Sequence, residues 1–106
     1  MALGRETGRP SSCIRMRENR VEERLREYVK RRGGLCLKWV CPGHAGVPDR
    51  IILLPGARII FLELKAPGKK PTTLQSWWLA KLKSLGFQAE WTDNAEDWIE
   101  RMEAME

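Results

Sequence analysis

Two β-branched and aliphatic runs, Arg50 to Leu54 and Arg58 to Lys65, flank the turn residues Pro55-Gly56-Ala57, and this arrangement fits a β-hairpin. A three-residue loop sets Leu54 against Arg58, and the same register carries Asp49 opposite Glu63. Residues directly opposed on adjacent strands have Cβ atoms roughly 4.5 to 5.5 Å apart, and alternation puts Lys65 on the face of Glu63. Two carboxylates and an ammonium would share one small site. Like charges opposed in a sheet are destabilising, so stability alone does not select Asp49 against Glu63. A divalent cation removes the conflict. Mg²⁺ binds through one or two carboxylates and keeps several waters, which suits a site that also admits a phosphate. Lys65 is then placed to orient or deprotonate a water, or to offset charge developing on the phosphate. The bland alternative makes Glu63 and Lys65 the solvated face of an edge strand and Asp49 a turn residue after Pro48. A hairpin loop one residue longer or shorter would send Asp49 to the other face, so the register decides between the two.

The length of 106 residues fits one domain with a single core. Hydrophobic (42%) and charged (31%) fractions are those of a soluble globular chain, and no stretch approaches the roughly 20 apolar residues of a membrane span. No apolar segment opens the sequence, so no secretory signal is read and a cytoplasmic location is expected. The net charge of +5 is unevenly distributed. Residues 1–70 hold 16 Lys plus Arg against 7 Asp plus Glu, and residues 71–106 hold 3 against 7. The basic part also carries the candidate site, and a polyanion such as nucleic acid is its natural partner. Helix arginines that merely solvate their own surface are the competing explanation.

Cys13, Cys36 and Cys41 are too few and too odd in number for a disulfide framework. Cys36, Cys41 and His44 form a C-x4-C-x2-H cluster, but structural zinc takes four ligands and Cys13 is the only further thiol. Two apolar cysteines and a loop histidine are the preferred reading.

Residues 1–12 are polar and aperiodic and read as a basic disordered tail, leaving 13–106 as the domain. From about Ile14 to Arg32 the pattern is helical, with Val21, Leu25, Tyr28 and Val29 on one stripe and Gly33-Gly34 as the stop. Glu18 and Glu22 lie on or beside that stripe, so one of them can reach the interior. Leu35 to Val40 reads as a strand, Cys41 to Pro48 as a loop, and the hairpin follows. The loop Ala66 to Pro71 sets Lys69 and Lys70 where they could meet a phosphate backbone. A helix from Thr72 to about Leu85, a strand from Phe87 to Trp91 and a helix from Asn94 to Met105 complete the chain. Gln75, in the first turn of the Thr72 helix, is either a satisfied boundary residue or a ligand to water or phosphate. Trp77, Trp78 and Trp98 fall on apolar helix faces and are expected in the core, with Trp39 and Trp91 undecided.

In this order of elements, Gly46-Val47-Pro48-Asp49-Arg50, then Glu63-Leu64-Lys65-Ala66-Pro67-Gly68, then Pro71 and Gln75 closely resemble the VRR-NUC (virus-type replication-repair nuclease) family of the PD-(D/E)xK superfamily. The match covers about Glu18 to Trp91. The resemblance implies a restriction-endonuclease-like αβββαβ core, an α/β fold with a mixed central sheet flanked by helices, and Mg²⁺- or Mn²⁺-dependent hydrolysis of DNA. It makes Asp49 and Glu63 the metal-binding carboxylates, Lys65 the catalytic lysine and Gln75 the family's glutamine. It also implies an acidic metal ligand on the first helix, assigned to Glu22 with Glu18 as competitor; Arg50, Lys69 and Lys70 are the expected DNA contacts. Small stand-alone members resemble Holliday-junction resolvases and act as homodimers on branched DNA, and this short chain looks like that kind. For a virus-encoded member the expected location is the host cytoplasm. The alternative of another class is a catalytically silent nucleic-acid-binding protein with the same fold. A pure binder has no use for paired carboxylates facing a polyanion.

Overall fold

The structure, a computed structural model, describes the backbone of residues 10–105 and the side chains of residues 20–105. It contains α1 (Pro10–Arg31), β1 (Leu35–Lys38), β2 (Arg50–Leu54), β3 (Arg58–Leu64), α2 (Thr73–Ser84), β4 (Gln88–Thr92) and α3 (Ala95–Ala104). The expected tail lies mostly outside the described residues. Its last members, Pro10 to Ser12, belong to α1, and the fixed φ of proline suits a first helical turn. The helix stops where the glycines predict. Gly33 takes φ +80°, its N–H donates to the Lys30 carbonyl at 3.0 Å, and the Gly34 N–H donates to the Val29 carbonyl at 2.9 Å. These two bonds satisfy carbonyls that the helix end would leave open.

The sheet order is β1-β2-β3-β4, antiparallel through β3 and parallel between β3 and β4, so the fold is the expected mixed α/β sheet flanked by helices. Joining parallel neighbours requires a crossover, and α2 supplies it. The β2–β3 pairing is in the predicted register, Leu54 against Arg58 and Arg50 against Leu62. Paired β-structure in β1 ends at Lys38, two residues before the expected Val40.

The pleat sorts the hairpin into two faces. Ile52, Ile60, Leu62 and Leu64 pack with Val21, Leu25, Tyr28 and Val29 of α1 and Trp98, Ile99 and Met102 of α3. Tyr28 meets Trp98 edge-on at 6.2 Å. On the opposite face Leu79 and Leu82 of α2 pack with Ala89, against the half-buried Trp39, Phe61 and Trp91. Trp98 is core as expected, whereas Trp77 is 54% exposed. Leu74, also on α2, is 48% exposed.

Candidate active site around Glu63

Glu63 is flanked along β3 by Leu62 and Leu64, which enter the α1/α3 core, so its side chain points to the face covered by α2. It is only 6% exposed, and a buried carboxylate needs partners. Gln75 Nε2 donates to Glu63 Oε2 at 3.1 Å, and the Lys65 ammonium lies 3.7 Å from the same oxygen. The other end of Gln75 is also engaged. Its Oε1 accepts from the Thr72 N–H at 2.9 Å while Thr72 Oγ1 accepts from the Gln75 N–H at 3.1 Å, a capping box that starts α2. The cap therefore fixes the amide that orients Glu63. Gln75 is more than a boundary residue, and Thr72-x-x-Gln75 ahead of an apolar run was the sequence signal for its dual part.

Asp49 lies in the bend just before β2, one step beyond the last ladder pair, and the continued register sets it against Glu63. Its Oδ1 accepts from the Leu64 N–H at 3.1 Å and its carbonyl accepts from the Trp39 N–H at 2.9 Å. The residue is thus held between the ends of β1 and β3. Burial pushes its carboxyl above the ordinary aspartate range, opposed by the Leu64 N–H and the Arg50 charge. The loop leading to it is fastened to α2. The Ala45 carbonyl accepts from Trp78 Nε1 at 3.0 Å, and His44 meets the Trp78 ring edge-on at 5.8 Å. Gly46 completes this contact with φ +89°, and a Cβ there would lie 2.6 Å from the Leu74 side chain. Behind Lys65, its N–H donates to the Thr92 carbonyl at 2.9 Å and ties the residue to β4.

The structure brings Asp49, Glu63, Lys65 and Gln75 to one end of the β2–β3 hairpin. Glu22 and Arg50 are disposed differently from the expectation. Arg50, expected on DNA, is 6% exposed and turns to the α1 face, where its Nη2 lies 2.5 Å from Glu22 Oε2. Alternation explains the correction: next to Asp49 and two before Ile52, Arg50 shares the core face of β2. The side chain of Glu18 lies outside the described residues. Lys69 and Lys70 are exposed in the loop after Lys65, open to a phosphate backbone.

Among the described residues, no group of three or more His, Cys, Asp or Glu side chains could hold a metal ion. The Cys36, Cys41 and His44 cluster does not assemble, and the Cys13 side chain lies outside the described residues. Asp49 and Glu63 are nevertheless hard oxygen donors, one desolvated and one buried beside an ammonium and an amide. They fit Mg²⁺ or Mn²⁺, ions that take one or two carboxylates and leave other positions to water and phosphate.

Over 73 residues, 69% of this chain and 78% of the relative, the sequence is 48% identical to "Putative nuclease p44" of Acyrthosiphon pisum secondary endosymbiont phage 1. A solved "VRR_NUC domain" superposes with a TM-score of 0.76 at 26% identity, covering 82% of this chain and 95% of that one. A second, "VRR_NUC domain protein", gives 0.64 at 20% identity over 81% and 84% of the two chains, a likeness of fold alone. No family model matches the chain.

Proposed function

From the premise that this chain belongs to the VRR-NUC family of nucleases, we propose that it is a divalent-metal-dependent endonuclease acting on branched DNA, with Asp49 and Glu63 as the cation ligands. The observation that carries this reading is the grouping on Glu63 Oε2, where a lysine ammonium and an amide converge on a buried carboxylate beside Asp49. A Mg²⁺ or Mn²⁺ ion bound by that pair would supply charge neutralisation at the phosphate and a more acidic water. The protein does the rest. Gln75 holds Glu63 in one orientation, and the Leu64 N–H does the same for Asp49. Lys65 presents its amine beside the carboxylate to align or deprotonate the attacking water and to offset charge on the phosphate. Lys69 and Lys70 grip the DNA backbone, which makes binding salt dependent.

A homodimer suits symmetric incision of two strands. Its support is the part of the α2-side sheet that α2 leaves uncovered, where Leu35, Leu37 and Ile59 are exposed. An isologous partner would bury them.

The test incubates the purified protein with a four-way junction, a flap and a plain duplex, in Mg²⁺ or in chelator, alongside Lys65→Ala. Cleavage is expected only with metal, fastest on a branched substrate, and about 10²- to 10⁴-fold slower in the variant. Cutting that survives the chelator, or persists unchanged in Lys65→Ala, overturns the mechanism. Binding without cutting in every arm would leave the silent DNA-binding alternative. Light scattering at micromolar concentration reads the dimer, and a monomeric mass throughout removes it.

A further inference from the structure

Arg50 is, with Glu63 and Thr92, one of three buried polar or charged residues among those described, and the cleavage chemistry leaves it without a task. Burying a guanidinium is costly, and an apolar side chain in its place is often as stable or more so. Its contacts indicate what it does. Nη2 pairs with Glu22 Oε2 at 2.5 Å, Nη1 donates to the Asp49 carbonyl at 3.2 Å, and Nε has no partner among the described residues. The Asp49 carbonyl therefore receives two donors, Arg50 Nη1 and the Trp39 N–H, while the Asp49 carboxylate takes the Leu64 N–H. The residue is clamped at both its main chain and its side chain. Rigid carboxylates make better sites because no ordering remains when the ion arrives.

Glu22 completes the device. An unneutralised guanidinium next to Asp49 would compete with a cation for that carboxylate. Glu22 takes the guanidinium charge instead and leaves the carboxylate of Asp49 available. We infer that Glu22 and Arg50 form a positioning pair for Asp49, Arg50 fixing its main chain and Glu22 neutralising Arg50, so that Glu22 acts on the cation through Arg50 and not as a ligand. This rests on the reading of Asp49 and Glu63 as the cation ligands.

Mn²⁺ binding to the full chain, followed by the electron paramagnetic resonance of free Mn²⁺, separates the two parts for Glu22. Asp49→Asn is expected to lose binding. Glu22→Gln and Arg50→Met are each expected to weaken it by about 10-fold, the scale of groups that hold ligands in place. The double variant E22Q/R50M is expected to be no weaker than either single one, because the partners act as a unit. It also leaves no unpaired buried charge, so it keeps the test readable should the thermal melt of a single variant show that variant unfolded. At saturating Mn²⁺ the double variant recovers most of its turnover, while the Mn²⁺ needed for half-activity rises about 10-fold. Loss of binding in E22Q/R50M as complete as in Asp49→Asn, or tighter binding in Arg50→Met, would make Glu22 a direct ligand and overturn the inference. Wild-type affinity in the folded double variant overturns it too. Unchanged Mn²⁺ binding in Asp49→Asn is a separate outcome and sinks the ligand assignment itself.

Discussion

The two faces of one sheet serve opposite ends. On the α1/α3 face, Ile52, Ile60, Leu62 and Leu64 close against two helices and leave Trp98 fully buried. On the α2 face one helix covers part of the sheet, Trp77 and Leu74 stay about half exposed, and the buried Glu63 takes a place that an apolar residue would fill in a core. The pleat therefore lets one sheet keep a closed apolar face apart from the face that carries the candidate site. A face that must admit a phosphate cannot also be closed. Arg50 and Asp49 mark the seam, adjacent in sequence and directed to opposite faces.

That division is open to attack in decreasing order of effect. Truncating the closed face should cost the fold and nothing specific to catalysis. Trp98→Ala is expected to lose about 3 to 5 kcal/mol in urea melts, a large share of the roughly 5 to 15 kcal/mol typical of a domain. Trp77→Ala, on the open side, should stay near wild type; equal losses would abolish the contrast.

Gln75 is the sharper probe, because it belongs to both the cap and the site. Gln75→Ala is expected to slow cleavage about 10- to 100-fold through a loosened Glu63, while helix capping accounts for only about 1 kcal/mol of stability. A variant as active as wild type would detach the cap from the chemistry.

The smallest effect has the opposite sign. Burial raises the Asp49 carboxyl above its ordinary value of 3.8, so folding favours the protonated form. That contribution is complete below the unfolded value and is lost as pH rises through the folded one. Above the folded value the ionised group is a cost. Asp49→Asn keeps an oxygen for the Leu64 N–H and should stabilise the chelator-treated protein by about 1 kcal/mol at pH 7. The gain should fade as the solution is acidified to the ordinary aspartate range. A destabilised variant at pH 7 would show that the carboxylate charge is already balanced without metal.

Much of this was legible in the chain because it depends on local spacing. The hairpin register follows from Pro55-Gly56-Ala57, the stop of α1 from Gly33-Gly34, and the shared face of Glu63 and Lys65 from the two-residue period of a strand. Thr72 and Gln75 have the spacing of a capping box, a local signal that the reading of Gln75 as boundary residue or ligand left unused. The partner of Arg50 was not legible, since Glu22 lies 28 residues away on a helix whose docking angle no local rule specifies. Nor was the exposure of Trp77, because periodicity says which residues share a helix face but not how much sheet that face will find beneath it. Local backbone geometry determined which side each residue of the hairpin presents. Only the packing of α1 and α2 against the sheet decided which of those charges are buried and which are paired, because burial and pairing depend on distances between elements remote in sequence.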